Sequence, residues 1–263
     1  MSNKITLPAS QGRALKLLQI TDTHIFESAE ADFDGVDTEA SLSAVIRQIK
    51  NSESGIDLVL ATGDLVHKPS ENAYLKLRRL LLKLELPVVC LAGNHDCPEL
   101  MSHYLNHASI STSKQIVIGK WLIIMLNSFL ENSHSGSLNE KELLFLEQSL
   151  QESEQEHVLI ALHHHPVSIN SLWMDEMPLL NSADLFSLID SCDKVRGLIW
   201  GHIHQEFRAK RSDVDLYGSP SSCLQFKPGD DNYAKDNLAP AYSLLELDES
   251  GRSLITVKRV LNI

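Results

Sequence analysis

The chain has 263 residues, 43% of them apolar, enough to bury a sizeable core in one large domain or two small ones. Acidic residues outnumber basic ones 35 to 23, a net charge of −12, which argues against a nucleic-acid backbone or an anionic membrane as the main partner. A small anionic substrate stays open, because a bound cation reverses the local field of an acidic protein.

Met1 to Gln11 is polar and lacks the apolar centre of a secretory signal, and no apolar run approaches the length of a membrane span. Leu15 to Ile20 reads as a strand that exits into Thr21-Asp22-Thr23-His24. A polar loop over Phe26 to Thr38 precedes an amphipathic helix at Glu39 to Lys50. Ile56 to Ala61 is a second strand, ending at Thr62-Gly63-Asp64, and Ser70 to Leu84 a second helix. Pro87 to Ala92 is a third strand, followed by Gly93-Asn94-His95-Asp96. Apolar strands separated by helices imply parallel pairing with both faces covered, and ligands bind beyond the carboxyl ends of such strands.

Ile116 to Ile118 and Trp121 to Leu126 read as an antiparallel pair, and Asn139 to Leu150 as a helix. His157 to Leu162 is a strand leading into His163-His164-His165-Pro166. A helix is expected near Ala183 to Ile189, and a strand at Val195 to Trp200 runs into Gly201-His202-Ile203-His204. Phe207 to Tyr217 and Tyr242 to Leu261 supply further antiparallel strands. The intervening Gly218 to Pro240 is a long polar loop, a length that usually signals function or disorder. Cys90, Cys97, Cys192 and Cys223 form no C-x-x-C pair, so a reducing cytoplasm is the expected compartment.

Five strand ends therefore carry polar groups able to bind metal. In Asp22/His24 and His202/His204, residues i and i+2 share a face of an extended chain and could reach one site. The candidates are Asp22, His24, Asp64, Asn94, His164, His202 and His204, too many for one tetrahedral ion but suited to two cations sharing a carboxylate. Four imidazoles among them make an all-oxygen cage the poorer fit. Iron, manganese or a mixed pair is the expected occupant; magnesium, zinc and cobalt are also open.

D-x-H, G-D, G-N-H-D, H and G-H-x-H, in that order over about Leu15 to His204, resemble the calcineurin-like metallophosphoesterase superfamily. Gly218 to Pro228 is similar to the P-S-T-C-x-Q-F-K-P segment of bacterial class III cyclic-AMP phosphodiesterases, although Ala241-Tyr242-Ser243 departs from their usual Gly-Tyr-Arg. The resemblance implies an α/β fold, a four-layer αββα sandwich of two mixed sheets flanked by helices, with metals at the carboxyl ends of the strands. It implies a single metallophosphoesterase domain over 1–263, with a core of about 15–217 and a C-terminal extension at 218–263.

By the same resemblance, Asp22, His24, Asp64 and His204 would hold one ion, and Asp64, Asn94, His164 and His202 the other. His163 and His165 would support them. The implied reaction is hydrolysis of 3′,5′-cyclic AMP to 5′-AMP by a water acidified between two cations, with His95 assisting the leaving oxygen and Asp96 orienting His95. Asn94, His95 and His204 would contact substrate, with His134 a further candidate and Trp173-Met174 lining the cleft. A broader phosphodiesterase or phosphomonoesterase acting on 2′,3′-cyclic nucleotides or glycerophosphodiesters is the alternative, and a non-catalytic scaffold a third. Trp121, Leu143 and Leu146 are expected in the core, and His67, His103, His107 and His157 at the surface or facing a helix. The oligomeric state stays open, a homodimer included.

Overall fold

The structure, a computed structural model, describes residues 3–8 and 12–260. In chain order, β1 (Lys4–Leu7), β2 (Leu15–Ile20), α1 (Thr38–Ser52), β3 (Leu58–Thr62), α2 (Glu71–Leu82) and β4 (Val88–Leu91) form the first part. Then come α3 (Pro98–Leu105), β5 (Ile110–Ser111), β6 (Gln115–Ile118), β7 (Trp121–Met125), α4 (Glu140–Glu152), β8 (His157–Ala161), α5 (Leu172–Asp175), α6 (Ser182–Asp190) and β9 (Val195–Trp200). The chain closes with β10 (Phe207–Arg211), β11 (Val214–Gly218), β12 (Gln225–Phe226), β13 (Lys235–Asp236), β14 (Ala241–Leu247) and β15 (Ser253–Arg259).

Two mixed sheets carry the fold. One runs β15-β14-β2-β3-β4-β5 and the other β1-β6-β7-β8-β9-β11-β10, while β12 and β13 pair separately. Alternation along each central strand explains the layering. In β3, Leu58 and Leu60 face the opposite sheet, where they meet Ile123, Leu159 and Ile199. Val59 and Ala61 point the other way, into a second core with Leu42, Val45, Tyr74 and Leu77 of α1 and α2. A third core lies behind the other sheet, where Leu146 of α4 and Leu185 of α6 cover Ile160 and Leu198. The result is the expected four-layer αββα sandwich.

The starts of α1 and α2 are set by side-chain caps. Asp37 accepts from Ala40 N at the head of α1, and Ser70 from Ala73 N at the head of α2, each worth about 1 kcal/mol. Several elements were not expected, β5 and α5 among them. β1 lies in the N-terminal stretch read as a polar tail, where Lys4–Leu7 pairs parallel with β6 at a sheet edge. α3 has only Met101 and Leu105 buried, too few to show a helical period. β12 and β13 sit inside the expected polar loop. The end of the expected final strand at Leu261, and residues 1–2 and 9–11 of the N-terminal stretch, lie outside the described residues. Among the described residues no helix is long and apolar enough to cross a membrane.

Candidate metal centre

The carboxyl ends of β2, β3 and β4 of one sheet meet those of β8 and β9 of the other. The turns after β2 and β3 keep pairing beyond the strands, through Asp22 N to Gly63 O at 2.9 Å and His24 N to Asp64 O at 2.9 Å. The chain is not extended there. Asp22, His24, Asp64, His202 and His204 have φ of 54°, 44°, 49°, 68° and 46°, the left-handed region that non-glycine residues seldom adopt. Paired donors thus converge through left-handed turns, not through the same-face spacing of a strand.

Among the described residues, four groups of donors lie within 4.8 Å of one another: Asp22/His24/His204, Asp22/Asp64/His163, His163/His164/His202 and His24/His67/His95. His24 Nε2 and His204 Nε2 are 3.3 Å apart, and His204 Nε2 is 3.3 Å from Asp22 Oδ1. His204 Nδ1 donates to the Leu224 carbonyl at 2.9 Å, so its Nε2 presents a lone pair. His202 Nε2 donates to Met177 O at 3.0 Å, leaving Nδ1 as its donor atom. Asp22 also accepts from His202 N with both oxygens, at 3.1 Å each, which fastens one sheet end to the other.

The rings of the His163-His164-His165 run point in different directions, although His163 and His164 both stand in a donor group with His202. It is His163, not His164, that faces Asp64 and Asn94. His163 Nε2 is 3.3 Å from Asp64 Oδ1 and 3.2 Å from Asn94 Oδ1. The cause is the Thr62 carbonyl, which accepts from His163 Nδ1 at 2.9 Å and aims the ring across the gap between the sheets. His164 turns toward Ser128, whose Oγ is 2.7 Å from its Nδ1. Gly136 packs on that ring, and a Cβ there would overlap it. His165 is buried behind them, 3.6 Å from Asp175 and parallel to the His202 ring.

The expected hydrogen bond between Asp96 and His95 is replaced by others. Asp96 Oδ2 accepts from Gly93 N at 2.9 Å and Leu65 N at 3.1 Å, and its Oδ1 from Val66 N at 3.3 Å and Tyr74 OH at 3.1 Å. Asp96 is therefore a buried anchor for the loops after β3 and β4. His95 Nδ1 instead donates to the carbonyl of His67 at 2.9 Å, and His95 N donates to Asp64 Oδ1 at 2.8 Å. The glycine of Gly93-Asn94 has a plain function here: any Cβ at Gly93 would overlap Asp64 Oδ1 and the Asp64 backbone.

His67, expected at the surface or facing a helix, stands in the site, its Nδ1 3.4 Å from His24 Nδ1 and its ring stacked on Phe26. His157, for which the same was expected, is buried, with Nε2 donating to Glu249 O at 3.0 Å. His134 reaches the site edge, its Nδ1 3.3 Å from Asn94 Nδ2. That contact turns Asn94 Oδ1 inward. Trp121 and Leu146 are in the core, and Leu143 packs half-buried against it.

Electrostatics suit cations. Burial, with the neighbouring imidazoles, holds His24, His164 and His202 well below the usual histidine range, so they are neutral lone-pair donors. Burial alone would raise the Asp64 carboxyl, but His163, together with His95 and His24, outweighs it and holds Asp64 well below the usual range. Burial works against the charge of His163 too, yet the Asp64 carboxylate raises it to about 9. The proton of this pair sits on atoms that would bind a cation, and an ion would displace it. Burial, followed by the Asp64 charge, pushes Asp96 up to about 6. The donor set, rich in imidazole and carboxylate, fits two divalent ions; His164 Nε2, buried with no hydrogen-bond partner, adds a polar atom facing the cluster.

A cavity of about 210 Å³ opens above these groups, its lining completed by Phe33, Trp173, Met177, Phe226 and Tyr233; Phe33 and Phe226 lie against the donors, with ring centroids 4.7 Å from His24 and 4.1 Å from His204. A larger cavity, about 890 Å³, lies beside α3 and holds none of the four donor groups.

The calcineurin-like phosphoesterase family model matches residues 15–206, which span all the donors just described. The chain belongs to that family. Among full-length relatives of this calcineurin-like phosphoesterase is a Pseudomonas aeruginosa protein named 3′,5′-cyclic adenosine monophosphate phosphodiesterase CpdA, 37% identical over 99% of this chain and 95% of that protein. A protein of the same name from Escherichia coli K12 is 36% identical over the same shares, 99% and 95%. A Nostoc sp. 3′,5′-cyclic-nucleotide phosphodiesterase is 36% identical over 94% of this chain and 92% of its own. A dimetal phosphatase from Danio rerio shares the fold, with a TM-score of 0.70 at 16% identity, covering 95% of this chain and 98% of that one. A metal-dependent phosphoesterase is thus established, and divalent ions belong to the family fold.

Proposed function

We propose that this calcineurin-like phosphoesterase hydrolyses 3′,5′-cyclic AMP to 5′-AMP. The observation that carries the reading is the convergence of Asp22, His24, Asp64, Asn94, His163, His202 and His204 beneath one cavity, in a chain that matches proteins named cyclic-AMP phosphodiesterases over nearly its whole length.

Asp22, His24, Asp64 and His204 would hold one cation, and Asp64, Asn94, His163 and His202 the other. Iron, manganese or a mixed pair is our assignment. Such ions supply Lewis acidity toward the phosphoryl oxygens and acidify water. The protein's own residues do the rest. The His67 carbonyl keeps the His95 proton on Nδ1, and Nε2 is the atom free to pass a second proton to the leaving oxygen. Asn94 is oriented from one side by His163 and from the other by His134. The rings that line the cavity would exclude water from the reacting diester.

We read 1–263 as one domain, because β14 from the C-terminal extension pairs with β2 in the middle of a sheet. We place the protein in the cytoplasm, since its four cysteines are unpaired and suit a reducing compartment.

Turnover of cyclic AMP with Mn²⁺, Fe²⁺, Mg²⁺ and Zn²⁺ tests the reading, beside cyclic GMP, bis(p-nitrophenyl) phosphate and p-nitrophenyl phosphate. Cyclic AMP should be the best substrate. Negligible turnover of it with every metal, alongside rapid hydrolysis of the artificial diester, would overturn the assignment in favour of a broader phosphodiesterase.

A further inference from the structure

The cavity has two unlike sides. One holds the donors and His95; the other is built from rings that take no part in proton or metal chemistry. Trp173 comes from α5, while Phe226 and Tyr233 come from the hairpin of β12 and β13. Trp173 meets Phe226 at 5.1 Å and 76°, and Tyr233 at 5.5 Å and 84°, between ring centroids. Phe226 already lies flat on His204, at 4.1 Å and 10°. Its face is taken, which leaves Trp173 and Tyr233 as the rings with surface to offer. Tyr233 is 49% exposed at the mouth of this cavity.

This wall is held in place from two directions. Tyr233 OH donates to Asp34 Oδ2 at 2.9 Å, and Lys235 Nζ to Asp34 O at 2.6 Å. Ser171 Oγ donates to Asp230 O at 2.6 Å, joining the hairpin to the segment that carries Trp173. The loop bearing Phe33, the α5 segment and the hairpin are thus tied into one rim around the cavity.

We propose that Trp173 and Tyr233 form the specificity wall for the purine base of the nucleotide, with Asp34 positioning Tyr233. The proposal rests on the functional reading above and names what that reading leaves open, the group that distinguishes a nucleotide from any other diester. A phosphate seated at the donors places its organic substituent against this wall. A flat heterocycle is the substituent that rings recognise without hydrogen bonds, because every base offers a π face. The small cavity, about 210 Å³, fits this arrangement: only part of a nucleotide is enclosed, and the base lies along the exposed rim.

The test is equilibrium binding to the metal-loaded protein, with AMP compared to ribose 5-phosphate, which keeps the phosphate and sugar but lacks the base. AMP should bind roughly tenfold to a hundredfold more tightly, the range of one base–aromatic contact. It should also quench tryptophan fluorescence, whereas ribose 5-phosphate should not. Trp173→Ala and Tyr233→Ala should each shrink the AMP preference, and Trp173→Phe should abolish the quench. Asp34→Ala should shrink the preference in part. Should Trp173→Ala fail to fold, Tyr233→Ala, at the exposed rim, decides alone. Equal binding of the two ligands, or an unchanged preference in a folded Tyr233→Ala protein, overturns the proposal. Failure of cyclic-AMP turnover is a separate outcome: it removes the functional reading, while the binding ratio still reports on the wall.

Discussion

His95 and His67 are joined by a single hydrogen bond, from Nδ1 of the first to the backbone carbonyl of the second, at 2.9 Å. A carbonyl can only accept, so His95 carries its proton on Nδ1 and turns Nε2 into the cavity. His95→Ala should keep its metal and lose about 10²- to 10⁴-fold in turnover, the range expected for a lost general acid. Elemental analysis beside a turnover assay checks both halves. A variant that lost its metal instead would make His95 a structural residue.

His163 and His164 make a sharper comparison, being adjacent in sequence and opposite in direction. His163→Ala should retain about one cation fewer per chain and lose most activity, since its Nε2 stands beside both Asp64 and Asn94. His164→Ala should weaken metal affinity by about 10- to 100-fold, as for an outer partner of a site. The reverse pattern in metal titrations would restore His164 as the ligand.

Asp96 should matter to stability more than to proton transfer. Removing its carboxylate leaves the amides of Leu65, Val66 and Gly93 buried without an acceptor. Asp96→Ala should cost about 3 kcal/mol in urea unfolding. Asp96→Asn keeps one oxygen for Gly93 and Leu65 and should cost less. Equal losses in the two variants would mean that volume, not hydrogen bonding, is what Asp96 supplies.

Asp34 is a tie between two loops, and it is exposed enough to change without disturbing a core. Asp34→Ala should speed amide hydrogen exchange over residues 227–236 and hasten protease cleavage there, leaving the β-sheet amides unaffected. Unchanged exchange in the hairpin would show that Ser171 and the packing of Phe226 hold it without Asp34.

Much of this was legible in the sequence because the fold writes it in short local signals. The central strands of the covered sheets are mainly apolar runs, and each ends where a polar block begins, as at Ile20-Thr21-Asp22 or Ala92-Gly93-Asn94. What escaped lacked such a signal. His67 lies three residues past Asp64, in a loop whose course is set by pairing with Ile25, so nothing local separates it from a surface histidine. The choice between His163 and His164 depends on the Thr62 carbonyl, 101 residues away in the chain. Asp96 follows His95 directly, and proximity in sequence suggested a pair that the geometry does not make. The rim formed by Phe33, Trp173 and Tyr233 joins three distant segments and exists only in three dimensions.

Every proposed cation set draws donors from both sheets, and His24 meets His204 across 180 residues of chain. This separation has a consequence during synthesis. A ribosome that has made residues 1 to 200 has already supplied Asp22, His24, Asp64, Asn94 and His163, yet neither set is complete. The last two imidazoles arrive together, at His202 and His204, and the strand that seals the first sheet, β14, follows them. A nascent or truncated chain therefore gathers carboxylates and histidines without gaining a working centre. Hydrolytic activity appears only in molecules whose two halves have met, which makes it a direct reporter of completed folding.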